Sequence, residues 1–324
     1  TSWPSIASPR PRGSGSSGRD GRREVDASEA RDEPTTCDGL RSPASDELML
    51  MFYQTGPGYV GFGLDASGLA VSHVSADLPK DLPARAEVLL RPFAEKIGRA
   101  RRIVVVASGE LSGESFHALP WAGGVLVDAA PVAYSLDLQR ATTTRRPVER
   151  VVQLAPPSNL AGAVEEIEVV EAGLRARGVR VDRLVGDEVD LVGRIAGADL
   201  LHYAGHARGD GWGGALELGG DRSLGARDLL SIAGPRVAVL SGCETGLPDP
   251  RAHAGGMSLA HALLLAGAEA VLATDAVVDD QTGAALGSAV VLAIADGREP
   301  VEALAEAQRA RRGQGWDRFR AFTR

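Results

Sequence analysis

The chain has 324 residues, 44% of them hydrophobic, and 43 acidic residues against 35 basic ones give a formal net charge of −8. That excess of acid excludes a nucleic-acid binder built on a broad basic face, because phosphate neutralisation supplies most of such affinity. No apolar run reaches the ~18 residues of a membrane span, and aromatic residues are so scarce, at 4%, that the core must come from Val, Leu, Ile and Ala.

Residues 1–45 are expected to form a disordered tail, because the run Ser8-Pro9-Arg10-Pro11-Arg12-Gly13-Ser14-Gly15 has no apolar periodicity to bury. Its seven arginines balance its seven acids, which leaves the whole −8 on residues 46–324. The chain opens on Thr1 rather than Met, as a fragment or a processed product would. From Glu47 the texture changes to short apolar runs around Met51, Phe62 and Val71, separated by turn residues, and these predict an antiparallel meander. A helix is expected over about 83–97, then a strand over 102–107. After it the pattern alternates. Strands are expected at 151–154, 199–203, 237–240 and 270–273, and helices at 164–176, 257–265, 281–295 and 300–311. Strands apolar on both faces that alternate with helices indicate an α/β fold, a mostly parallel sheet covered on both sides and preceded by the meander. No internal repeat and no second domain beyond residues 46–324 is evident.

In such sheets the chemistry collects beyond the carboxyl ends of the strands. Two strand ends carry reactive residues, Leu200-Leu201-His202-Tyr203-Ala204-Gly205-His206 and Val237-Ala238-Val239-Leu240-Ser241-Gly242-Cys243. If the strands are parallel neighbours, His206 and Cys243 project into one crevice, which is what thiol catalysis requires. A free thiol is mostly neutral at pH 7, and an adjacent imidazole can take its proton and later protonate the leaving amine. A buried Cys after a strand is the plainer alternative. Cys37 lies in the tail, and two cysteines make no disulfide framework, so a reducing, cytoplasmic setting is expected; the N-terminus shows no signal-peptide pattern.

These segments resemble the CHAT domain, a caspase-like cysteine peptidase domain often joined to tetratricopeptide repeats and distantly related to caspases and separase. The family's histidine strand typically reads His-Phe-Ala-Gly-His-Gly, where this chain has His202-Tyr203-Ala204-Gly205-His206-Ala207. Its cysteine strand typically ends Ser-Ala-Cys-Glu-Thr-Gly, where this chain has Ser241-Gly242-Cys243-Glu244-Thr245-Gly246. The run from Gly255 to Ala268, Ala118-Leu119-Pro120-Trp121 and Trp316-Asp317-Arg318-Phe319 also look like family segments. The resemblance implies Cys243 as nucleophile and His206 as general base and acid. It implies an oxyanion held by the main-chain N–H groups of Cys243 and Ala207, beside Gly242. Ala207 would be strained if its position needs a positive φ.

The family's Ser-Leu-Trp-x-Val-Asp-Asp rim corresponds here to the segment from Ala273 to Asp280, with Asp275-Ala276 in place of the Leu-Trp pair. An unpaired carboxylate at Asp275 or Asp279 would favour a peptide substrate with a basic residue before the cleaved bond. Helix capping is the competing role for Asp279 and Asp280. Arg251, in a polar loop after the nucleophile, is a candidate self-processing site beside the plainer reading of a surface arginine. Gly61-Phe62-Gly63-Leu64-Asp65-Ala66 matches a dinucleotide fingerprint but precedes a β-like run rather than a helix. His202 and His206 on one strand would stand ~13 Å apart, too far to share a metal. No metal and no cofactor is expected. The expected partners are a protein or peptide substrate and a regulatory protein or repeat domain, with neither nucleic acid nor membrane. The alternative is a catalytically weak caspase-like domain that serves as an interaction module.

Overall fold

The computed structural model describes residues 42–56, 58–75, 77–136, 146–185, 190–208, 214–246 and 257–324. Eleven strands form one sheet. In chain order they are β1 (Glu47–Thr55), β2 (Gly58–Asp65), β3 (Gly68–Ser75), β4 (Arg102–Ala107), β5 (Val132–Ser135), β6 (Arg150–Leu154), β7 (Arg180–Leu184), β8 (Leu200–Tyr203), β9 (Val237–Leu240), β10 (Ala270–Thr274) and β11 (Phe319–Thr323). The spatial order is β3-β2-β1-β4-β5-β11-β10-β9-β8-β6-β7.

The expected meander is present, and it extends the sheet: β1 pairs antiparallel with β2 and parallel with β4. The fingerprint-like run around Gly63 lies in the β2–β3 hairpin, where Ser67 N–H donates to Asp65 Oδ1 at 2.9 Å and closes the turn. Parallel pairing joins β1, β4, β5 and β11. It also joins β10, β9, β8, β6 and β7. Between the two groups β11 and β10 are antiparallel, with Phe319 opposite Thr274 and Thr323 opposite Ala270. The sheet is therefore two parallel blocks running in opposite directions, and β11 is their seam.

Five longer helices cover it: α1 (Leu82–Leu90), α2 (Ala161–Ala176), α3 (Leu259–Leu265), α4 (Asp280–Ala295) and α5 (Pro300–Ala310). Strand side chains alternate between faces. Leu50, Phe52, Val105, Leu201, Tyr203 and Leu240 are buried on the side of α1 and α3. Met49, Val104, Leu200, Val239 and Leu272 are buried on the side of α2, α4 and α5. The single helix expected over 83–97 is broken. α1 starts on the Asp81 cap, whose carboxylate accepts from Ala84 N–H at 3.0 Å. It gives way to a 3₁₀ turn, Arg91–Phe93, before the helix Ala94–Arg99, because Pro92 lacks an N–H and its ring collides with the preceding turn.

Phe319 is 1% exposed and anchors the seam strand in the core shared with α4 and α5. Phe319→Ala should cost about 3–5 kcal/mol of stability in denaturant unfolding. Leu265→Ala, at a side chain 56% exposed, should cost far less. Equal losses would show that the seam is not where stability is concentrated.

Candidate active site

Three neighbouring parallel strands set the site. β8 pairs with β9 and β6 so that Tyr203 stands level with Leu240 on one side and Leu154 on the other. His206 and Cys243 each follow three residues after the Tyr203–Leu240 rung, and Asn159 follows five residues after Leu154. His206 Nε2 lies 2.7 Å from Asn159 Oδ1. An amide oxygen can only accept, so Nε2 carries the hydrogen and Nδ1 keeps the lone pair of a base. Asn159 was not anticipated from sequence. Its one signal is a polar residue closing the run Ala155-Pro156-Pro157-Ser158 at the carboxyl end of a strand adjacent to the histidine strand.

The main chain around His206 is pinned from two sides. Its carbonyl accepts from the Glu217 N–H at 2.9 Å and from the Tyr203 hydroxyl. Ala207 opens a short strand, Ala207–Arg208, that pairs with Ala215–Gly219. Among the described non-glycine residues, positive φ occurs at Ala122 and Glu244, so Ala207 is extended and carries no such strain. A methyl group on Gly242 would sit 3.1 Å from the Ala207 Cβ and 3.0 Å from Tyr203 Cε1. It would also sit 3.1 Å from the Gly205 carbonyl oxygen, so the strand neighbours leave position 242 little room for a side chain.

Cys243 is half-buried and its thiol is free. The carbonyl of Gly242 lies 2.5 Å from Thr274 Oγ1, a donor, and 3.0 Å from Thr245 Oγ1. Both threonines are buried, and Thr245 Oγ1 accepts from the Thr274 N–H at 3.2 Å. A trans peptide places its N–H opposite its carbonyl, so the Cys243 N–H points away from these threonines. That is the donor arrangement an oxyanion needs. Glu244 follows at φ 59°, with its N–H 3.4 Å from the Ala276 carbonyl and its side chain exposed.

At the rim the structure corrects one expectation. Asp275 is not an unpaired carboxylate in an open pocket. It is 7% exposed, and its Oδ2 is held by the Arg320 guanidinium and by Ser115 Oγ at 3.2 Å. Burial pushes its pKa up, opposed by Arg320. Arg320 also donates to the Ser112 carbonyl at 2.8 Å and to the Gly113 carbonyl, and it lies over the Tyr134 ring. Asp279 is exposed and caps α4, accepting from the Thr282 N–H at 3.0 Å. Asp280 caps a different helix, accepting from the Gly162 and Ala163 N–H groups of α2 at 2.6 and 3.1 Å. His202 is fully buried and hydrogen-bonded, as expected of a packed strand residue, while His261 meets Phe322 edge-on. Arg251, His253 and Cys37 lie outside the described residues. A cavity lined by Arg236, Val237, Glu269 and Ala270 opens where β9 and β10 begin, at the end of those strands remote from Cys243.

A family model described as the CHAT domain matches residues 82–321. The chain belongs to the CHAT domain family. No curated protein matches its sequence. Among solved structures it is similar to two of the Saccharomyces cerevisiae separase–securin complex. One has a TM-score of 0.53 at 12% identity, covering 69% of this chain and 15% of that one. The other has a TM-score of 0.52 at 11% identity, covering 75% and 17%. This CHAT domain thus has the fold of a segment of separase, a small part of that protein's length. Among the described residues no helix is long and apolar enough to cross a membrane.

Beside Arg320 lies His117, 2% exposed, with Nδ1 2.7 Å from the Tyr134 hydroxyl. Burial, with help from the Arg320 charge, pushes its pKa down to about 3. The unfolded chain takes up a proton near 6.5 and the folded one does not. Stability contributed by His117 is therefore complete above pH 6.5 and is lost as pH falls toward 3, at up to about 1.4 kcal/mol per pH unit. Unfolding free energies at pH 7 and pH 5 should differ by about 2 kcal/mol more for the native chain than for His117→Gln. Identical slopes would exclude His117 as the source.

Proposed function

We propose that this CHAT domain is a cysteine endopeptidase in which Cys243 is the nucleophile and His206 the general base and acid. The observation that carries the reading is the set of three adjacent strand ends that present Asn159, His206 and Cys243, with the His206 tautomer set by Asn159. Nδ1 takes the Cys243 proton as Sγ attacks the substrate carbonyl, and the oxyanion forms against the N–H groups of Cys243 and Ala207. Collapse expels the amine, which leaves with the proton from His206, and an acyl-thioester remains on Cys243. Water then attacks the thioester, its proton passes to His206, and the thiol is restored as the carboxylic acid departs. Asn159 is a positioning residue that keeps Nδ1 as the base.

The substrate is a protein or peptide, cut after a basic residue. With Asp275 neutralised by Arg320, the exposed rim carboxylates that support this preference are Glu244, beside the nucleophile, and Asp279. Control by a protein partner, or by cleavage at Arg251, is part of the same proposal, and separase held in complex with securin is the precedent among similar structures.

A labelled peptidyl-Arg acyloxymethyl ketone tests the reading. It should form an adduct on Cys243 that Cys243→Ala abolishes and His206→Ala slows by at least about 100-fold. Asn159→Ala should lower the maximal labelling rate about tenfold, the worth of one hydrogen bond, without changing probe affinity. A Leu or Gln probe should label more slowly than the Arg probe, by a margin that shrinks in Glu244→Gln or Asp279→Asn. A folded protein that takes no label yet still binds a protein partner would make this domain an interaction module instead.

A further inference from the structure

Directly beneath the three site loops runs a buried polar chain that the peptidase chemistry above does not use. Glu166, on α2, is 2% exposed and reaches between the carboxyl ends of β8 and β9. Its Oε1 lies 2.9 Å from His202 Nε2 and accepts from Ser241 Oγ at 2.7 Å. His202 precedes His206 by four residues, and Ser241 precedes Cys243 by two. On its other side His202 Nδ1 lies 3.2 Å from Nε2 of Gln153, which is fully buried on β6 and also donates to the Ile167 carbonyl at 3.0 Å. An amide nitrogen can only donate, so His202 Nδ1 accepts and its Nε2 carries the hydrogen that Glu166 receives. Gln153, His202, Glu166 and Ser241 therefore link β6, β8 and β9, the strands whose loops carry Asn159, His206 and Cys243.

Two contacts fix where the carboxylate sits. Asp280 caps the amino end of α2 and so sets the position of Glu166 along the sheet. α4 presses onto the carboxylate at Gly287, where a methyl group would overlap both Glu166 Oε1 and Ser241 Oγ. Withdrawing a carboxylate from water costs several kcal/mol even when it is hydrogen-bonded, and an apolar side chain would fill the same space without that cost. What the acid adds is direction, because one oxygen anchored to two donors fixes the lateral offset of two strand ends to within a hydrogen bond's tolerance.

We propose that Glu166 is a positioning residue for the dyad, aligning His206 with Cys243 by clamping His202 and Ser241. This rests on the peptidase reading above. Two measurements in a Cys37→Ser background test it, the kinetics of labelling by the Arg acyloxymethyl ketone and the pH midpoint of Cys243 alkylation by iodoacetamide. In Glu166→Gln the maximal labelling rate should fall at least tenfold with probe affinity within twofold. The alkylation midpoint should move up toward the free-thiol value of about 8.5. Ser241→Ala, which removes a single donor, should shift both in the same direction by less, and the double variant should be no worse than Glu166→Gln alone. A lower melting temperature with an unmoved midpoint and labelling rate would overturn the proposal and leave Glu166 a structural residue. Native protein that takes no label, with an alkylation midpoint already at the free-thiol value, would instead overturn the peptidase reading and the proposal with it.

Discussion

The rung at which Tyr203 meets Leu240 governs the site. Parallel strands advance in step, so a shared rung starts both loops at the same height, and His206 and Cys243 each follow it by three residues. A shift of one residue would move every side chain of β8 to the opposite face and put the two loops out of step. The contacts around the rung all enforce that register. The Tyr203 carbonyl accepts from the Ser241 N–H at 2.8 Å, the Tyr203 hydroxyl holds the His206 carbonyl, and Gly242 lies close against Tyr203, Gly205 and Ala207.

The rim depends on charge rather than register. Arg320 is 3% exposed in its side chain and gathers Asp275, two carbonyls of the 112–113 turn and the Tyr134 ring around one guanidinium. It fastens the segment that follows β4 to the segment that follows β10. The carboxylate that looked available for substrate is therefore structural, buried and paired within the fold. Burial, reinforced by the Arg320 charge, holds the His117 pKa well below its ordinary value.

Much of this was legible in the sequence wherever the determining residues are neighbours along the chain. The strands that precede His206 and Cys243, the meander and the cap at Asp279 rest on local patterns, and each lies where those patterns put it, whereas Asp280, expected to cap the helix after it, caps one 118 residues away. What escaped depends on partners distant in sequence. Asn159 meets His206 across 47 residues and Asp275 meets Arg320 across 45. The strand Phe319–Thr323 is short, carries Arg320 as its second residue, and owes its central place to β5 and β10 rather than to its own composition. The antiparallel turn between the two blocks is invisible for the same reason, because strand direction is a property of pairing and no single strand encodes it.

That seam has a consequence for how the protein is made. Strands β1 to β5 and β6 to β10 form separate blocks, and among the described residues the sheet joins them only through β11. Residues 319–323 are the last of all these strands to leave the ribosome. Until they do, neither block has its inner edge covered, Arg320 is not there to hold Asp275, and the rim around Cys243 cannot close. The order of synthesis thus places the joining of the two blocks, and the pairing of Arg320 with Asp275, after the strands of both blocks have emerged.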